Sequence, residues 1–88
     1  MTINIKDLKN KIIYRANYRG TKEMDKLLGS FTKKYIDQFN EQELTLLCDL
    51  LDFDDENLYK FNQGQNPTIQ IELNKVTEMF QNYNYASE

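Results

Sequence analysis

Eighty-eight residues suffice for one domain with one hydrophobic core, close to the lower size at which a core holds without cross-links. A single cysteine excludes an intrachain disulfide. The absence of histidine excludes Ser-His-Asp and Cys-His catalysis and removes the commonest metal ligand, so the composition argues against an enzyme. The net charge of −3 is unevenly spread: residues 1–34 carry nine Lys/Arg against three Asp/Glu, whereas residues 35–88 carry two against eleven.

Apolar spacing is helical along nearly the whole chain. Ile5, Leu8, Ile12 and Ile13 give a first helix over about residues 5–16, and Asn17 to Gly20 breaks it. Met24, Leu27, Leu28, Phe31 and Tyr35 form one stripe of a second helix over about 21–38, with Gly29 inside it as a close helix contact or a weak point. Asn40 with Glu43 three residues later is a capping box for a third helix running to about Asp52 through Leu44, Leu47, Cys48 and Leu51. Asp54 or Asp55 caps a short fourth helix with Leu58, Tyr59 and Phe61, ended by Gly64. Asn66-Pro67 opens the last helix, whose buried face is Ile69, Leu73, Val76, Phe80 and Tyr83. No strand alternation appears anywhere. The expected fold is an all-α, compact five-helix bundle over residues 1–83, with a flexible tail at 84–88.

Few residues invite chemistry. Asp52, Asp54 and Glu56 alternate like the first ligands of a calcium loop, but Asn57 and Gln63 stand where that loop needs Gly and a bidentate Glu. Helix capping explains the run better, and no metal is expected. Cys48 lies on an apolar stripe without a nearby basic residue and reads as a small hydrophobe. Tyr14, Tyr18, Tyr59, Tyr83 and Tyr85 fit core, rim or interface positions alike. The basic half lacks the interleaved aromatics of a nucleic-acid platform, and the acidic half would repel phosphate. No segment reaches a membrane-spanning length, and residues 1–10 have neither an apolar signal core nor an Arg-rich transit pattern, so the expectation is cytoplasmic.

The most informative stretch is Tyr14 to Phe31, Y-R-A-N-Y-R-G-T-K-E-M-D-K-L-L-G-S-F. Arg15, Arg19, Lys22 and Lys26 cluster around Gly20, which lets backbone approach another surface, while a guanidinium can grip a carboxylate through two bonds. Glu23 and Asp25 fall in the first turn of the second helix, where its dipole favours anions. On these residues alone, a capped helix start with solvated charges accounts for the pattern.

The stretch resembles the signature of the succinate dehydrogenase assembly factor 2 family, the SdhE-type flavinylation factors, roughly Y-R-S-x-x-R-G-x-x-E-x-D-x-L-L-G-x-F. Tyr14-Arg15, Arg19-Gly20, Glu23, Asp25, Leu27-Leu28-Gly29 and Phe31 fall in register. Asp54 to Tyr59 resembles the family's acidic turn, and the chain's size agrees. Ala16, Tyr18, Thr21, Glu56, Asn57 and Phe61 depart from the usual pattern. The resemblance implies an assembly factor that binds the flavoprotein subunit of succinate dehydrogenase and promotes covalent attachment of FAD, with the fumarate reductase flavoprotein as a second client. It also implies that Arg19, Gly20 and Glu23, with Arg15 and Asp25 as neighbours, form the partner-binding surface, Arg19 pairing with an acidic or carbonyl group of the partner. FAD then belongs to the partner, and lacking a dinucleotide fingerprint the isolated chain should not hold it tightly. The rival reading is a small helical interaction or regulatory module, of toxin-inhibitor type, with a different partner.

Overall fold

The computed structural model describes residues 4–84. Five helices and a short 3-10 turn follow one another: α1 Ile5–Asn17, α2 Lys22–Tyr35, the turn Ile36–Gln38, α3 Glu41–Leu51, α4 Asp55–Asn62 and α5 Lys75–Gln81. No strand occurs among the described residues, and the protein is an all-α single domain. No helix is long and apolar enough to cross a membrane.

Each helix begins where a short polar side chain takes up an otherwise orphan backbone N–H. Asn4 accepts from Asp7, Thr21 from Met24, and Asp54 from Asn57. Asn40 and Glu43 form the anticipated reciprocal box: Glu43 N–H donates to Asn40 Oδ1 at 2.8 Å, and Asn40 N–H donates to Glu43 Oε1 at 2.9 Å. Gly64, at φ +76°, ends the α4 segment in the left-handed conformation glycine favours. The second helix stops at Tyr35, its expected last turn tightening into 3-10 form.

Ile12 and Ala16 of α1 meet Leu28 and Phe31 of α2, Leu44, Leu47 and Leu50 of α3, Leu58 of α4, and Val76 and Phe80 of α5, all fully buried. Phe31 is the hub: its ring meets Tyr35, Phe80 and Tyr83 edge-on at centroid distances of 5.2–5.4 Å, within the range aromatic pairs favour. Gly29 is a close helix contact. A β-carbon there would collide with the Asn17 amide, so its absence brings the end of α1 onto α2. Cys48 is half-buried against this core, and burial pushes its thiol pKa up.

The last helix differs from expectation. It starts at Lys75, not at Pro67, and the expected buried residues Ile69 and Leu73 are 41% and 59% exposed. The reason is local. Asn57 Oδ1 accepts both the Thr68 N–H and its hydroxyl, holding the chain against α4 instead of in a helical turn. A second reciprocal cap, Asn74 with Thr77, then starts α5. Ile71 replaces Ile69 and Leu73 in the core. Of the expected tail, residues 85–88 lie outside the described residues, as does the Tyr85 reading.

Glu43 also joins two helices, because its other carboxylate oxygen pairs with Lys75 at the start of α5. The Lys75 ammonium, and then the Asn40 N–H, hold its carboxyl below the usual glutamate range. A carboxylate whose pKa is lower folded than unfolded stabilises fully above the unfolded value, about 4.3, and loses that contribution as pH falls through the folded value. Urea midpoints of wild type and Glu43→Gln are therefore expected to differ most at neutral pH and to converge below about pH 4. A gap that persists unchanged into acid would show that the pair does not set this dependence.

Candidate functional site

Residues 18–21 form the connection between α1 and α2, and Arg19 turns inward from it. Its guanidinium donates from Nε to Asp55 Oδ1 at 2.9 Å, from Nη1 to the Leu51 carbonyl at 2.7 Å and from Nη2 to the Phe53 carbonyl at 2.6 Å. The side chain is 11% exposed. Its backbone N–H donates to Asp25 Oδ1, so Asp25 closes the loop from the first turn of α2. One residue thus ties the α1–α2 loop to the α3–α4 loop through charge-assisted bonds, each worth about 1.5–3 kcal/mol where water is excluded.

Arg19 was expected to pair with an acidic or carbonyl group of a partner; in the chain by itself its guanidinium is engaged internally. The residue does grip a carboxylate and carbonyl groups, but they belong to its own chain. Leu51 ends α3 and Asp55 starts α4, leaving carbonyls and a first-turn carboxylate that need a cation. The acidic run 52–56 is therefore the internal partner of the basic stretch as well as a helix cap. Arg15 does the same one turn earlier, pairing through Nη2 with Asp52. That pair is more exposed and contributes little on its own.

Gly20 lies directly after the clamp, exposed, with φ +117°. A β-carbon would meet only Asp55 Oδ2, at 4.0 Å. Space is available; the backbone angle is what demands glycine. Glu23 is exposed and has no hydrogen-bond or ion-pair partner among the described residues. The five expected residues therefore divide. Arg19 and Asp25 hold the loop from within, Arg15 pairs with Asp52 beside it, and Gly20 and Glu23 face solvent. Tyr18, 71% exposed, and Tyr14, 65% exposed, pack together at 4.7 Å beside the loop. Asp55 and the Leu51 and Phe53 carbonyls are the members that sequence reasoning missed. The only signal for them was the charge complementarity between residues 15–19 and 52–55.

The angle at Gly20 bears on how the site is probed. Gly20→Ala is expected to lower the unfolding free energy by about 1–3 kcal/mol through backbone strain, measured by urea titration. An alanine variant as stable as wild type would show that the turn relaxes to another conformation.

The family model described as the flavinator of succinate dehydrogenase matches residues 10–84. The "FAD assembly factor SdhE" of Acetobacter pasteurianus is 33% identical over 64 residues, covering 73% of this chain and 59% of that protein. The mitochondrial "Succinate dehydrogenase assembly factor 2" of Scheffersomyces stipitis is 43% identical over 49 residues, 56% of this chain and 33% of that protein. The "FAD assembly factor SdhE" of Haemophilus ducreyi is 27% identical over 60 residues, 68% of this chain and 73% of that protein. No solved structure gives a significant match. A match that takes in four complete helices, most of α1 and the whole Arg19–Glu23 loop places the chain in the family of succinate dehydrogenase flavinators.

Proposed function

We propose that this protein is a non-catalytic assembly factor. It binds the flavoprotein subunit of succinate dehydrogenase and promotes covalent attachment of FAD, with the fumarate reductase flavoprotein as a second client. The observation that carries the reading is the family match across residues 10–84, which takes in Arg19, Gly20 and Glu23. The proposed docking surface is the outer side of that loop, Gly20 and Glu23. Arg19 and Asp25 serve it by holding its shape, with Arg15 as a neighbour.

The chain brings no histidine, and burial raises the pKa of its one thiol, away from the reactive thiolate. Its contribution is therefore binding. An assembly factor that prefers the flavoprotein conformation in which FAD and its acceptor side chain are aligned shifts the population toward it, by as much as its affinities for the two conformations differ. A pre-shaped loop suits this role because little ordering entropy is lost on docking. FAD stays with the partner, and the isolated chain is proposed not to hold it tightly. The proposed compartment is the cytoplasm.

The test is covalent flavin on the flavoprotein, read as fluorescence of the denatured band, in cells with and without this chain. Loss of the band without the chain and rescue by wild type are expected. Glu23→Gln is expected to rescue poorly while melting like wild type, since its carboxylate has no internal partner. A tenfold loss of affinity for the flavoprotein would correspond to about 1.4 kcal/mol. A band of equal strength with and without the chain contradicts the function; full rescue by Glu23→Gln contradicts the surface.

A further inference from the structure

The contact of Gly29 with Asn17 closes α1 onto α2 at one end, and beside it a cleft of about 270 Å³ lies along the seam of the two helices. Lys9, Ile13 and Asn17 line it from α1 at four-residue spacing. Gly29, Thr32, Lys33 and Ile36 line it from α2 and the turn that continues it, at positions i, i+3, i+4 and i+7. Both rows are single helix faces, so the cleft is built by the helix pairing itself. It shares no residue with the proposed docking surface.

Thr32 is the unusual member. It is 1% exposed, and its hydroxyl is the one buried side-chain oxygen or nitrogen among the described residues that has no hydrogen-bond partner. A helical threonine ordinarily relieves this cost by donating to a carbonyl one turn back. Here that bond is not made. A hydroxyl left in this state destabilises the fold until another oxygen reaches it. Threonine has two accessible χ1 rotamers in a helix, so the hydroxyl can turn toward an occupant of the cleft.

The rest of the lining has a different chemistry. Lys33 has no hydrogen-bond or ion-pair partner among the described residues. Lys9 pairs with Asp37 at 3.2 Å, but the aspartate side chain is 88% exposed, and a pair so open to water holds weakly. Two lysines against one aspartate leave the lining at +1. Ile13 and Ile36 add an apolar wall.

We infer that this cleft binds a short aliphatic carboxylate that carries a carbonyl or hydroxyl group along its chain. The second oxygen meets the Thr32 hydroxyl, the carbons lie on Ile13 and Ile36, and the carboxylate stays near the solvated ammonium groups of Lys33 and Lys9. That division keeps the charge away from the buried hydroxyl, where desolvation would cost most. Inorganic phosphate would leave the isoleucines uncovered, and a plain fatty acid would leave Thr32 unpaired. The volume is just below the ~300 Å³ at which ligand sites usually begin, which limits the occupant to a few carbons.

The test is an NMR titration of the full chain with 4-oxopentanoate and with pentanoate, an acid of equal chain length without the carbonyl. The oxo acid is expected to shift amides within residues 9–17 and 29–37 saturably, and to bind about tenfold more tightly than pentanoate. Thr32→Val keeps the shape and removes the hydroxyl. It is expected to melt at or above wild type and to erase the preference for the oxo acid. Lys33→Gln is expected to weaken both acids. The proposal is overturned by an absence of saturable shifts, by equal affinity of wild type for the two acids, or by a preference that survives Thr32→Val. Melting of Thr32→Val below wild type would overturn it too, because the hydroxyl would then already be paired within the fold.

Discussion

The structure turns on one side chain, the guanidinium of Arg19. Three of its five N–H donors are used on Asp55 and on two carbonyls at the end of α3, in a position almost sealed from water. Removing one member of such a set leaves buried groups without partners, which costs far more than the loss of an exposed ion pair. Two connections that meet nowhere else by hydrogen bonding, α1–α2 and α3–α4, become one rigid corner. Gly20, with its uncommon backbone angle, is held at the outer edge of that corner.

On the proposed reading, in which the signature serves docking, this arrangement gives a barely exposed arginine a place in it. A partner reads shape as well as side chains, and a loop that is already in its bound form loses little entropy on docking. Arg19 and Asp25 hold that shape, and Gly20 and Glu23 are the members that face solvent. The uneven charge of the chain follows the same logic. Its basic first third and acidic remainder are partly spent on each other, through Arg15 with Asp52, Arg19 with Asp55 and Lys9 with Asp37.

Four of the five helices were legible because their signals are local. A 3.6-residue apolar period, a cap such as Asn40 with Glu43 and a stop such as Gly64 all act within a few residues of each other. The start of α5 was not legible, because Pro67 offered a plausible helix opening while the deciding contact, Asn57 to Thr68, spans eleven positions. Of the candidate corner, Arg15, Arg19, Gly20, Glu23 and Asp25 were singled out in the sequence, but neither Asp55 as a partner nor the inward direction of Arg19 was. The inward turn of Arg19 depends on carbonyls of Leu51 and Phe53, and a backbone carbonyl leaves no mark in a sequence.

The most direct test of this account is a double-mutant cycle of Arg19→Ala and Asp55→Ala, read on both unfolding free energy and flavoprotein affinity. If the clamp shapes the loop, the two residues couple by at least about 1 kcal/mol in unfolding, and either substitution weakens flavoprotein binding. If instead Arg19→Ala abolishes binding without loss of stability, and Asp55→Ala leaves binding intact, the arginine reaches the partner itself and the account is wrong.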